Sequence, residues 1–417
     1  MRGRTHLADR RLLAVTATAV TAAAALLALP ASAAAEGPTD TQCTFPSKPY
    51  AGRPWALQRV LLDELWSQST GKGVRVAVID TGVDVRNPQL TPAVDVKSGR
   101  NKMKRGLKDE FGGAIERGKE DGTTDTVGHG TKVAGIIAAR PREGTGFVGL
   151  APGATIIPIQ QNDAEGHGTA ETLADAITYA VEARADVINI SQDTANAVEP
   201  APELKQAVDH ALDQDVVVVA SAGNDGLGGN VKETYPASYE GVLAVASSDR
   251  NNERAAFSQS GPFVGVAAPG VDMVSTVPGG GHCADNGTSF SAPYVAGVAA
   301  LIKGKHPDWT RKQIVAQIEQ TAERSIAGHD RLVGWGVVDP VRALTEDDKP
   351  LDAPVADRGA DPVAAPEAAG FHVGETPEER TTRLATYVLV GAGVLVAATA
   401  GGAVALRDAR RRRTRHA

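Results

Sequence analysis

Val74-Arg75-Val76-Ala77-Val78-Ile79-Asp80-Thr81-Gly82 is a nearly unbroken apolar, β-branched run that stops at a carboxylate and a Thr-Gly turn. A strand that is apolar on both faces is covered on both faces, which is the situation of a parallel sheet sheathed by helices. Similar runs return at Thr155 to Gln160, Val187 to Ser191, Val216 to Ser221 and Val242 to Ala246, with helical patterns between them. The expected fold is therefore α/β, a doubly wound parallel sheet with helices on both faces. In such sheets the carboxyl ends of the strands face the binding crevice, so Asp80 stands where ligands bind. No period typical of solenoids or propellers is present.

Outward from this sheet, both ends of the chain carry a second apolar signal. Arg2, Arg4, Arg10 and Arg11 precede the run Leu12 to Leu29, and Pro30 with the small residues Ala31, Ala33 and Ala35 follows it. That layout predicts a secretory signal peptide over 1–35. An uncleaved anchor is the competing reading, because the run approaches the ~18 residues of a plausible spanning helix; the small-residue site favours cleavage. At the other end, Leu384 to Leu406 is free of charge and is followed by Arg407, Arg410 to Arg413 and Arg415. A single transmembrane helix over 384–406 is expected, with the basic tail 407–417 in the cytoplasm and all that precedes it outside.

Between these ends, residues 36–70 form an extension whose Leu57 to Trp66 stretch has helical apolar spacing. The sheet domain is expected over 71–345, and Lys97 to Asp125, polar and strongly charged, reads as a surface insertion. Residues 346–383 are rich in Pro, Ala and acidic groups and predict a spacer to the membrane. The formal net charge of −7 is mild, and the basic residues gather at the termini, so no nucleic-acid partner is expected. The two cysteines, Cys43 and Cys283, are candidates for one disulfide in an oxidising exterior. Asp40-Thr41-Gln42 ahead of Cys43 does not resemble a lipid-acylation site.

Peptide hydrolysis by a hydroxyl needs a base, a carboxylate to orient it and donors for the oxyanion. Asp80 is the candidate carboxylate, although an aspartate after a strand is by itself commonly a turn residue. His129 lies in Gly128-His129-Gly130-Thr131, ahead of the small apolar helix Val133 to Ala139. Gly166-His167-Gly168-Thr169 repeats that tetrapeptide before the surface-patterned helix Ala170 to Ala183, where a loop histidine ahead of a threonine cap explains it better. The base is therefore assigned to His129, with His167 as the competitor. Ser289, in Asn286-Gly287-Thr288-Ser289-Phe290-Ser291-Ala292-Pro293, begins a helix whose amide end favours negative charge. A plain cap is the bland alternative for it; the crowd of small residues around it argues for close approach by other chain. Asn224, just past the run Val216 to Ser221, is the candidate side-chain donor to an oxyanion.

Taken in chain order, Asp80-Thr81-Gly82, His129-Gly130-Thr131, Ala222-Gly223-Asn224 and Gly287-Thr288-Ser289 resemble the subtilisin-like serine peptidases. The resemblance covers roughly residues 55 to 345 and implies Asp80, His129 and Ser289 as the triad, Asn224 in the oxyanion hole, and Ser191 and Gly223 in substrate binding. The order of segments, together with Gly144-Thr145-Gly146-Phe147, is most similar to the mycosins, serine proteases associated with type VII secretion. That likeness implies a membrane-anchored extracytoplasmic endopeptidase, with protein or peptide substrates, the cytoplasmic membrane and a type VII secretion membrane complex as partners. It also implies an extension that wraps the catalytic domain. The competing functions are a structural stabiliser of that complex with secondary proteolysis, and a broad nutrient protease, which a membrane anchor would serve badly.

This sequence departs from its relatives in places. Thr126 stands where many mycosins carry a cysteine, Lys132 where many subtilisins carry a second histidine, and Ser191-Gln192-Asp193-Thr194 where Ser-x-Gly-Gly is common. Pro141-Arg142-Glu143-Gly144-Thr145-Gly146 offers one carboxylate where calcium wants about six to eight oxygens, so no metal is expected there. The pair His129 and His167 lacks zinc-ligand spacing, and no cofactor is expected.

Overall fold

The computed structural model describes residues 43–106, 113, 117–163, 168–191, 201–229, 233–357 and 374–413. The expected leader, His167, Gln192 to Thr194 and residues 358–373 of the spacer lie outside them. The chain divides into two units, Met1–Asp357 and Arg358–Ala417.

The first unit begins with two short helices, α1 (Trp55–Gln58) and α2 (Leu62–Gln68), followed by β1 (Arg75–Asp80) and β2 (Arg100–Asn101). Next come α3 (His129–Ala138), β3 (Thr155–Gln160), α4 (Ala170–Glu182), β4 (Val187–Ile190), α5 (Pro202–Asp213), β5 (Val217–Ser221), β6 (Leu243–Ser248) and β7 (Val264–Pro269). The hairpin β8 (Met273–Thr276) and β9 (His282–Asp285) leads into α6 (Thr288–Lys305), with α7 (Arg311–Thr321) and α8 (Pro340–Thr345) closing the unit. Seven strands form one parallel sheet in the order β2-β3-β1-β4-β5-β6-β7, and β8 pairs antiparallel with β9 in a second, two-stranded sheet. From β1 the chain passes to the edge strand β2, returns inward to β3 beside β1, crosses to β4 on the other side of β1 and runs outward to β7, so the topological switch lies at β1, the strand that Asp80 ends.

Pleating divides β1 between two cores. Val76 and Val78 face the layer containing α3 and α6, with Ile137, Val295 and Val298, while Ala77 and Ile79 face α4 and α5, with Ile177, Leu204 and Val208. A surface strand would need a polar side; β1 has none, because each face meets helices. Burial of such Val and Ile side chains contributes about 1.5–3 kcal/mol each. Helix α6 is buried over nearly its whole length, as its Ala, Gly and Val composition permits.

Three expectations are corrected. The Leu57 to Trp66 helix is two helices: Val60 and Leu62 are both buried, and burial two residues apart does not fit one helix face. Trp55 and Trp66, on separate helices, donate to the carbonyls of Val271 and Leu150. The insertion Lys97 to Asp125 is not wholly surface: Arg100–Asn101 adds the edge strand, and Asn101, Met103, Thr123 and Asp125 are buried. The sheet also extends through β7, whose apolar run is broken by Gly265.

In the second unit, α9 (Pro377–Arg413) runs beyond the apolar stretch at both ends, and its most apolar window has a mean hydropathy of 2.1. Its length and composition suffice to cross a membrane.

Ile137 is fully buried in the layer that holds α3 against α6. Ile137→Ala is expected to cost about 2–5 kcal/mol, read as a lower urea midpoint with an unchanged m-value.

Candidate active site

Three segments remote in sequence converge at the carboxyl edge of the sheet. The Asp80 carboxylate is fully buried; its Oδ1 accepts the Thr81 N–H at 2.8 Å and lies 2.7 Å from His129 Nδ1. That contact fixes the tautomer when the imidazole is neutral: Nδ1–H donates to Asp80, leaving Nε2 as the acceptor. Such closeness requires Gly130, where an added Cβ would sit 2.1 Å from the Gly82 carbonyl and 3.0 Å from the Asp80 Cβ. Burial opposes charge on the imidazole most strongly. The charge and hydrogen bond of Asp80, with Asp125 behind, outweigh it against a push from Lys132, and the His129 pKa rises above its usual value.

Ser289 occupies the first turn of α6, half-buried, directly before Phe290. The Phe290 ring lies 5.3 Å from the imidazole of His129, so the helix start is held against that ring. Among the described residues no hydrogen bond joins Ser289 to His129; in unliganded sites such bonds commonly shorten only on substrate binding. Gly287 precedes the helix at φ +150°, a conformation that side chains disfavour, and this turns the chain from β9 into α6.

Asn224 is oriented by Thr288. Its Oδ1 accepts the Thr288 N–H at 2.9 Å and the Thr288 hydroxyl at 3.1 Å, so its Nδ2 is the end left to donate. The Asn224 carboxamide lies 3.7 Å from where a Cβ on Gly287 would stand, two residues before Ser289. The N–H of Gly223 donates to the Thr288 hydroxyl and its carbonyl accepts the Gln259 N–H. Ser191 is buried, with its hydroxyl bonded by Asn189, and has no exposed side chain to offer.

Cys43 and Cys283 are joined in a disulfide with a Cα separation of 6.0 Å. Among the described residues no three His, Cys, Asp or Glu side chains gather as a metal site. Two participants were not legible beforehand. Lys132 is buried and its Nζ donates to Asp285 at 2.8 Å, linking α3 to β9. Asp125, in a polar segment that reads as surface, lies behind the catalytic edge; only its position four residues before His129 hinted at it.

A family model described as the subtilase family matches residues 71–336. Subtilisin Savinase of Lederbergia lenta is 37% identical over 286 residues, 68% of this chain and 96% of that protein. Subtilisin E of Bacillus subtilis (strain 168) is 37% identical over 287 residues, covering 68% of this chain and 69% of the relative. The solved structure of MycP3 protease from the type VII (ESX-3) secretion system has a TM-score of 0.62 at 34% identity, over 72% of this chain and 90% of its own. MycP1 from Mycobacterium smegmatis has a TM-score of 0.60 at 32% identity, over 78% and 92%. The likeness runs from the turn before β1 to beyond α7 and so takes in the whole sheet rather than one motif: the chain belongs to the subtilase family of serine peptidases and is related to subtilisins and mycosins.

Proposed function

We propose that the chain is a membrane-anchored extracytoplasmic endopeptidase that cleaves secreted proteins through an acyl-enzyme on Ser289. The observation that carries this reading is the 2.7 Å contact of His129 with the buried Asp80, with Phe290 against the same imidazole. In the first half-reaction Ser289 Oγ attacks the scissile carbonyl carbon while its proton passes to His129 Nε2. The carbonyl oxygen becomes an oxyanion, which Asn224 Nδ2–H and the Ser289 N–H stabilise at the amide end of α6. Collapse breaks the C–N bond, and Nε2 returns the proton to the departing amine. Water then repeats the sequence against the acyl group and restores the hydroxyl. Asp80 holds the tautomer throughout and stabilises the imidazolium.

The anchor in this reading is α9, with its arginine end in the cytoplasm, as positive-inside orientation favours. A role in type VII secretion is supported by the likeness to MycP3 and MycP1. The second reading, a stabiliser of the secretion membrane complex, is favoured by the same anchor and the same likeness.

Fluorophosphonate is expected to label the chain covalently, and Ser289→Ala to abolish labelling; retained label would displace Ser289 as the nucleophile. Asn224→Ala should lower kcat with little change in KM, in the range of about 10²–10³ known for loss of the oxyanion asparagine in subtilisins. Catalysis needs neutral His129, and its pKa is raised from the usual 6.5. Activity should therefore fall with decreasing pH through a midpoint above about 6.5, and a midpoint well below that would contradict the Asp80 coupling. Secretion in a Ser289→Ala strain separates the two readings: it fails along with the deletion strain if proteolysis is the task, and survives if the chain acts as a stabiliser.

A further inference from the structure

Behind Asp80 the fold buries a second carboxylate that none of the steps above employs. Asp125 is 4% exposed and lies in the loop that enters α3. Its Oδ1 accepts the Thr81 hydroxyl at 3.0 Å and the N–H groups of Val127 and Gly128 at 3.1 and 2.7 Å. Its Oδ2 accepts the Thr131 N–H at 2.9 Å and the Thr131 hydroxyl at 2.6 Å. Thr81 completes the circuit: its hydroxyl accepts the Gly130 N–H at 3.0 Å, and its own N–H donates to Asp80 Oδ1 at 2.8 Å. His129 is thereby gripped on both sides, at Gly128 by Asp125 directly and at Gly130 by Thr81, which Asp125 holds.

We propose that Asp125 is a positioning residue for the peptidase reaction, fixing the backbone of His129 against Asp80 and holding a negative charge behind the imidazole that strengthens it as a base. This rests on His129 being the general base. A plain helix cap satisfies one or two amides and needs no charge; Asp125 takes five donors from the turn after β1, the loop before α3 and the first turn of α3. Burial pushes its pKa up to about 6, with the charge of Asp80 adding, against the hydrogen bonds from Thr131 and Gly128. The folded chain therefore holds this proton more tightly than the unfolded one. The stability that Asp125 contributes declines as pH rises from its ordinary 3.8 through about 6. A cap serving stability alone would gain by being neutral. The charged groups around it are Asp80 at the end of β1, His129 and Lys132 on α3, and Asp84, whose N–H donates to the Thr131 hydroxyl and whose carboxylate pairs with Arg86. The Lys132 amine is turned away, toward Asp285.

The test is the rate of fluorophosphonate labelling of the full chain as a function of pH. Asp125→Asn is expected to slow labelling at pH 8 by about ten- to hundredfold, the scale of a misplaced catalytic group. It should also move the acid limb to lower pH, because the imidazolium loses a nearby negative charge. A merely structural substitution would slow the reaction without moving the limb. Thr81→Val, which keeps the carboxylate and breaks its link to Gly130, should also slow labelling, and Thr81→Ser should restore it; this pair decides the matter if Asp125→Asn does not fold. An unmoved limb in folded Asp125→Asn, or wild-type rates in Thr81→Val, overturns the proposal. If the wild-type chain is not labelled at Ser289, the active-site reading falls and this proposal with it; labelling with an unmoved limb defeats only the role of Asp125.

Discussion

The approach of α3 to the end of β1 is the constraint on which the site depends. Placing an imidazole 2.7 Å from a fully buried carboxylate demands that helix and strand meet without a side chain between them, and Gly130 is where they meet. The position is costly: Asp80 Oδ2 is buried without a hydrogen-bond partner among the described residues. A buried acceptor of this kind is unfavourable until a positive charge forms beside it. In the proposed reaction, proton transfer to His129 supplies that charge, so the ground-state penalty and the preference for the imidazolium have the same origin.

Ser289, the proposed nucleophile, is held by a different device. Helix α6 crosses the middle of the domain, packed on the central strands on one side and on α3 on the other, so its first turn has little freedom to shift. Thr288 then uses both its amide and its hydroxyl to orient Asn224, while the Gly223 N–H orients the hydroxyl. Asn224 and Ser289, the proposed oxyanion donor and nucleophile, are thus set by neighbouring residues of one turn, and a displacement of either would be shared. Lys132 ties the two halves together by reaching from α3 to Asp285, four residues before Ser289. Preorganisation of this kind spares the reaction the cost of assembling its charges.

What was legible in the sequence follows from which constraints are local. The core strands announce themselves because burial on both faces removes polar positions, as in Val76 to Ile79. The glycines around His129 and Ser289 are legible because only backbone closeness explains them. Less accessible were features decided by partners far along the chain. Nothing in Val60 or Leu62 says that both will be buried and so split one amphipathic helix into two. The polarity of Lys97 to Asp125 concealed a carboxylate buried among donors, because hydropathy reads charge as exposure and cannot count the hydrogen bonds that make burial tolerable. Lys132 was noted as a departure, but its partner Asp285 lies 153 residues away.

The extension shows how far the support of the site reaches. Residues 47 to 50 run alongside the turn before β9 and its first residue: Ser47 N–H donates to the Gly280 carbonyl at 3.0 Å, and His282 N–H donates to that of Lys48 at 3.1 Å. His282 then receives the Tyr50 N–H on Nδ1 and lies 2.7 Å from Gln89 through Nε2. An acceptor role at Nδ1 requires a neutral ring, and burial keeps it so, lowering the His282 pKa to about 4. One residue on, Cys283 is bonded to Cys43, and two residues beyond that Asp285 receives Lys132. The extension is therefore attached to the strand that leads into the helix of Ser289, while Phe45 packs over Gly128, the residue before His129. A segment that touches the approaches to both Ser289 and His129, and leaves β9 held by a disulfide and backbone hydrogen bonds, is built into the scaffold of the candidate site. Its attachment bears on the geometry of catalysis as directly as the packing of α6 does.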